Sequence, residues 1–260
     1  MKQTRRILNS LVVCGVALAM VTTLAAQQVN QGSAKVVRLK GAARYVGGPM
    51  DGKLLKVGDV IRPGAVIQTA AKSSVDFVIG ELAAPVARPV TGDMLSYQPS
   101  SFQPAAEQNL VRMWENTLLA VDKLTTTETG ADVVTETQLD LKAGHIFGSV
   151  KKMSSASKYE VKIPNGVAGI RGTTYDISAE GVIKVLAGSV VLAYVGPDGT
   201  VVTQVILGLQ QFDARTGVLM PLPEADRDRL SRLVRTLFAG ILPVPRPVAA
   251  DQTIRYVSPH

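Results

Sequence analysis

Residues 163–177, Ile-Pro-Asn-Gly-Val-Ala-Gly-Ile-Arg-Gly-Thr-Thr-Tyr-Asp-Ile, do most to limit what this chain can become. Three glycines in seven residues, at 166, 169 and 172, let the backbone turn tightly or take a positive φ that other residues resist. Beyond them Thr173, Tyr175 and Ile177 alternate with Thr174, Asp176 and Ser178, the two-residue period of a half-buried strand. The segment is expected to be a strand, a glycine-punctuated reversal and a second strand. A dinucleotide loop with the same glycine spacing needs a helix after the glycines, whose N-terminus holds the phosphate. The strand period excludes that reading.

The same grammar runs from Val36 to Phe212. Val37, Leu39, Gly41, Ala43 and Tyr45 alternate with polar or small residues, and Asp51-Gly52 marks a hairpin turn. Between Leu54 and Thr69 short apolar pieces are broken by Gly58 and Gly64, and Ser74 to Ile79 alternates again. Leu110 to Trp114 and Thr117 to Leu124 read as strands, although helical spacing also fits 109–124; Thr125 to Ala131 reads as a turn. An Ala-Gly-x-(Ile/Val) element occurs at 143–146 and again at 187–190, a weak internal echo of strand–glycine–strand corners. The expected fold class is all-β. Many short strands would form a sandwich or a β-roll with β-helix-like rungs, closed by one C-terminal α-helix.

Two stretches resemble one known family. The Gly169-Ile170-Arg171-Gly172-Thr173-Thr174-Tyr175 element resembles the "G-x-R-G-T-x-F" signature of FecR proteins, with Tyr175 where phenylalanine is usual. Gly58, Asp59, Ile61, Gly64, Ile67, Thr69 and Ser74 resemble the "G-D-x-I-x-x-G-x-x-I-x-T" corner that opens such domains, and 114–124 fits the same pattern. The resemblance implies an extracytoplasmic binding or sensing module over residues 35–213, and not an enzyme. Members with full signalling roles regulate a sigma factor through a cytoplasmic segment joined to the sensor by a membrane helix. Here only about six residues precede the apolar stretch, so that signalling role is not expected to carry over.

That stretch reads as an export leader. Lys2, Arg5 and Arg6 precede an apolar run from Leu11 to Leu24 and a small-residue zone ending at Ala25-Ala26, which sets residues 1–26 apart as a signal peptide. If kept, the segment would be a membrane anchor, but it falls short of the roughly 20 residues that span a bilayer. The single cysteine, Cys14, lies inside this run, so no disulfide supports the domain and lipidation at that site is not expected. The leader points to a periplasmic or secreted bacterial protein.

The composition supplies little chemistry. Lys2, Arg5 and Arg6 account for three of the net +7 charges, leaving about +4 spread over the rest, too dispersed for a nucleic-acid partner. There are two histidines, His145 and the terminal His260, too few for a metal site or a catalytic triad. Asp59 reads as a corner-capping residue. No cofactor is expected. Gly169, Arg171, Gly172, Thr173 and Tyr175 form a candidate binding or structural signature. The Arg171 guanidinium is suited either to an anionic group on a partner or to internal carbonyls and carboxylates.

Pro85, Pro89, Pro99 and Pro104 mark 81–108 as an irregular insertion, and the sheet pattern is expected to stop after Phe212. Residues 221–242 read as an amphipathic helix and 243–260 as a flexible tail. Leu230, Leu233, Val234, Leu237 and Phe238 fall on one helix face, which docks on the chain's own sheet, receives a partner, or touches a membrane surface. An envelope protein is the leading partner class. A glycan is the alternative, with few aromatic platforms available from one tryptophan and six tyrosines.

Overall fold

The computed structural model describes residues 29–80, 109–130, 132–196 and 198–239. The expected leader (1–26), insertion (81–108) and tail (243–260) lie outside them.

Sixteen strands form one sheet: β1 (Val29–Gln31), β2 (Ala34–Lys40), β3 (Ala43–Tyr45), β4 (Val60–Ile61), β5 (Val66–Thr69), β6 (Ser74–Ile79), β7 (Asn109–Met113), β8 (Leu118–Glu128), β9 (Val133–Ala143), β10 (His145–Ser149), β11 (Lys158–Ile163), β12 (Gly166–Ser178), β13 (Val182–Val195), β14 (Val201–Leu207), β15 (Gln210–Asp213) and β16 (Val218–Pro221). Among the described residues one α-helix follows, α1 (Glu224–Ala239). The all-β expectation with a single C-terminal helix holds. The main path runs β3-β5-β8-β9-β11-β12-β10-β7-β6-β2-β4, with β13 also on β12, β14 and β15 side by side on β13, and β16 on β15. Every pairing is antiparallel except β9 with β11.

The sheet curls so that one face encloses a single apolar core. Phe77, Met113, Leu139, Ile146, Tyr159, Tyr175 and Phe212 all lie in it, fully or almost fully buried. A second, smaller cluster lies on the outside, where α1 sets Leu230 and Leu237 against Val78, Leu110, Phe147 and Leu222. Burying each such leucine is worth roughly 1.5–3 kcal/mol. With a core beneath it and a helix above it, β6 is buried on both faces from Val75 to Ile79. Its charged residue, Asp76, is held by Arg112 at 2.6 and 2.7 Å and by Arg38 at 3.5 Å.

Three corners share one construction. A residue of positive φ (Lys72, Asn116 or Gly172) precedes a hydroxyl residue (Ser73, Thr117 or Thr173). That hydroxyl donates to the carbonyl two residues back, of Ala71, Glu115 or Arg171. It also accepts from the amide after a facing positive-φ glycine: Ala42 after Gly41, His145 after Gly144, Ser189 after Gly188. A side chain on any of these three glycines would overlap the hydroxyl residue. The backbones approach too closely for anything but glycine.

Three expectations need correction. The reversal lies at Pro164–Asn165, between Ile163 and Gly166, and β12 then runs unbroken through Gly169 and Gly172. A bulge at 172–173 absorbs what looked like a turn. The threonines at 125–127 belong to β8, because β-branched side chains suit a pleated surface better than a turn. The sheet continues past Phe212: a turn capped by Asp213 returns the chain as β16, whose last residue is Pro221, and the helix begins only at Glu224.

Candidate functional site

Strand β12 joins two parts of the sheet, and the glycine signature sits at the junction. Residues 166–169 pair with β11, residues 174–178 pair with β10, and β13 follows both halves on the other side. Gly172, at φ +59°, forms the bulge that lets the strand pass from one neighbour to the other. The bulge breaks the ladder, and the Thr173 hydroxyl repairs it. This buried group donates toward the Arg171 and Ser189 carbonyls at 2.9 and 2.7 Å and accepts from the Ser189 amide at 3.1 Å.

Tyr175 points into the core. Its ring lies over Gly148, where any side chain would collide with it. Its hydroxyl meets that of Tyr159 at 3.1 Å, with the rings edge to face at 6.4 Å. Burial pushes both phenols above their ordinary range. Gly172, Thr173 and Tyr175 are therefore held by internal contacts.

Gly169 and Arg171 turn outward. Arg171 is exposed, and its guanidinium has no hydrogen-bond or ion-pair partner among the described residues. Gly169 needs neither a special φ nor unusual space: an added Cβ would only touch the Val191 carbonyl at 3.6 Å. Around them lies an apolar face in cross-strand register. Val167 opposes Ala193, Gly169 opposes Val191, and Arg171 opposes Ser189; Val191 and Ser189 in turn oppose Val205 and Leu207 of β14. Val167, Val191, Val195, Val201, Val205 and Leu207 are all exposed. An open cleft of ≈ 450 Å³, lined by residues including Lys151, Lys152, Asp132 and Met153, lies near the bulge, where the Lys152 side chain approaches Gly172.

The helix face meets the chain's own sheet. Leu230 and Leu237 are buried there, Leu233 and Val234 pack partly against the same cluster, and Phe238 is half-buried. Polar contacts fix its start. Asp226 bonds Lys184 at 2.8 Å, and Arg229 reaches both Asp226 (3.2 Å) and the nearly buried Asp176 (3.3 Å). His145 Nε2 lies 3.4 Å from the same Asp176 carboxylate, and its ring stacks on Trp114 at 5.5 Å. Burial works against ionisation of Asp226, but the hydrogen bond and charge of Lys184, aided by Arg229, outweigh it and hold the carboxyl below its ordinary value. Asp59 accepts the Lys56 amide at 3.0 Å, closing its corner. Sequence reasoning passed over Tyr159, Asp176 and Lys184. Their partners lie on other strands or on α1, and no local pattern announces them.

Comparison with known proteins gives partial matches. Residues 104–191 match the family model described as "FecR protein". No curated protein matches the chain. Two crystal structures, at 2.50 and 1.65 Å, of a "putative anti-sigma factor from Parabacteroides distasonis ATCC 8503" match at 15% identity and a TM-score of 0.31. Each match covers 43% of this chain and spans about half the length of the solved one (49% and 50%). No helix among the described residues is long and apolar enough to cross a membrane.

Proposed function

We propose that this chain, whose residues 104–191 match the FecR family model, is an exported, non-enzymatic module that binds or scaffolds a protein partner in the bacterial envelope, in a sensing role. The observation that carries this reading is the outward half of the signature. Arg171 presents an uncommitted guanidinium at the border of an exposed apolar face, and Gly169 beside it leaves that face flat without any steric need to do so. A cation at the rim of an apolar surface suits a protein partner that brings a carboxylate to the rim and aliphatic side chains to the centre. The leader read at residues 1–26 supports export.

The experiment is affinity capture from native envelopes with the chain and its Arg171→Ala variant. The variant is expected to melt at the wild-type temperature, because the exposed side chain makes no hydrogen bond or ion pair among the described residues, and to lose the partner. A melting temperature lowered by several degrees with the partner retained would assign Arg171 to folding. Recovery of glycan without protein would replace the protein-binding reading with a wall-binding one.

A further inference from the structure

We propose that β14 is the contact through which two copies of this chain associate, by antiparallel pairing of β14 with β14 about a twofold axis at Gln204. The argument begins with an empty lane. Strands β14 and β15 lie end to end along the same side of β13, opposite residues 189–195 and 182–185 respectively. On the outside of β15 the chain supplies β16, which ends at Pro221 opposite Gln210. Beside β14 it supplies nothing among the described residues.

The bare edge also lacks the usual defences. Exposed edge strands are normally blunted by lysine, proline or a bulge. Val201-Val202-Thr203-Gln204-Val205-Ile206-Leu207 contains no charge and no proline, and it pairs with β13 in unbroken register. Apart from Thr203 its exposed side chains are apolar; Val201 is 75% exposed and Leu207 52%.

The hydrogen-bonding groups set the register. The hairpin closes with the Gly196 amide donating to the Thr200 carbonyl, so even-numbered residues of β14 bond β13 and the odd-numbered ones turn their N–H and C=O outward. Two of those outward groups are occupied by glutamine side chains acting in place of a strand. Gln210 Oε1 accepts the Leu207 amide at 2.8 Å, and Gln204 Nε2 donates to the Val205 carbonyl at 2.7 Å. An axis at Gln204 pairs Thr203 with Val205 of the second copy and Val201 with Leu207, matching outward groups along the whole strand once Gln204 and Gln210 give up their bonds to Val205 and Leu207. The same register sets aliphatic side chains against one another and brings no like charges together. That self-matching, in a strand with no charge to select a different partner, favours a second copy over a foreign strand. The interface is one strand wide, so the dimer is expected to be reversible.

The inference does not rest on the partner reading, since Arg171 lies two strands back from this edge. The test is sedimentation velocity of the full chain across a concentration series. Wild type should shift from monomer to dimer as concentration rises. Thr203→Pro, which deletes an outward amide, and Val205→Lys should both stay monomeric with unchanged melting temperature; Thr203→Pro, which leaves the valines and leucine of the apolar face in place, should also keep partner capture. In a Cys14→Ser background, Gln204→Cys should form a disulfide-linked dimer on oxidation, because residues 204 face each other across a close, non-hydrogen-bonded pair. Val202→Cys, facing Ile206 of the copy, should not. A wild-type chain that is monomeric at every concentration would overturn the proposal, as would a dimer that survives both edge substitutions. So would a monomer that takes up a foreign extended peptide at this edge and loses it with Thr203→Pro.

Discussion

The Thr173 hydroxyl occupies a place where two backbone strands have lost their register, and it serves both. Replacing it with valine keeps the shape and removes the bonds, leaving the Ser189 amide at a buried break in the ladder. An unmade bond of this kind costs about 1–3 kcal/mol, so Thr173→Val should lower stability by that amount in a urea titration with an unchanged slope. The Tyr159–Tyr175 pair makes the opposite point about a side chain that departs from the family pattern. Tyr175→Phe restores the usual residue yet strands the Tyr159 hydroxyl in the core, and should destabilise by about 1–3 kcal/mol. Tyr159→Phe should do the same, whereas the double variant should recover much of the loss. A double-mutant cycle by thermal or chemical denaturation checks this. Additive losses would mean that the two hydroxyls do not depend on each other.

Among the elements, α1 shows how a charge pair and an apolar stripe divide the work. Leu230 and Leu237 supply the burial, and Asp226 with Lys184 and Arg229 fixes where the helix starts. The folded-state pKa of Asp226 is depressed below its ordinary 3.8. Its contribution is therefore complete well above that value and is lost as the pH falls through 3.8 toward the lower folded value. Because the pair is partly exposed, Asp226→Asn should cost less than about 1 kcal/mol at neutral pH. The difference from wild type should shrink progressively as the pH falls below 3.8, as read by melting curves at neutral and at acid pH. The apolar stripe was legible in the sequence because helical spacing is local. Its ionic anchors were not, since Lys184 and Asp176 lie on β13 and β12. The corner motif was half legible for a related reason. Ala-Gly repeats at 143–144 and 187–188, but the third copy reads Lys40-Gly41, and the facing Ser73, Thr117 and Thr173 stand at three different sequence distances. Strand β16 escaped notice because four exposed residues after a turn show no alternation.

At the scale of the molecule, the sequence pattern conveyed a β body with glycine corners but not its wiring, because alternation tells which face a residue takes and not which strand lies beside it. The matched segment illustrates the gap. Residues 104–191 include β7 and β8, yet β7 pairs with β6 and β8 with β5, both from the part of the chain before it, and the match stops within β13. The physical unit is larger than the recognisable one. The wiring also shows where the chain tolerates change. Ile79 at the end of β6 stands directly opposite Asn109 at the start of β7, so the chain leaves the sheet and returns to it at neighbouring positions. A short hairpin turn in place of 81–108 should leave the melting temperature within a few degrees of wild type; loss of cooperative unfolding would show that those residues contribute to the core. For protein engineering, the junction is a splice port: a reporter whose own termini lie close together can be inserted between Gly80 and Asn109 without interrupting any of the sixteen described strands.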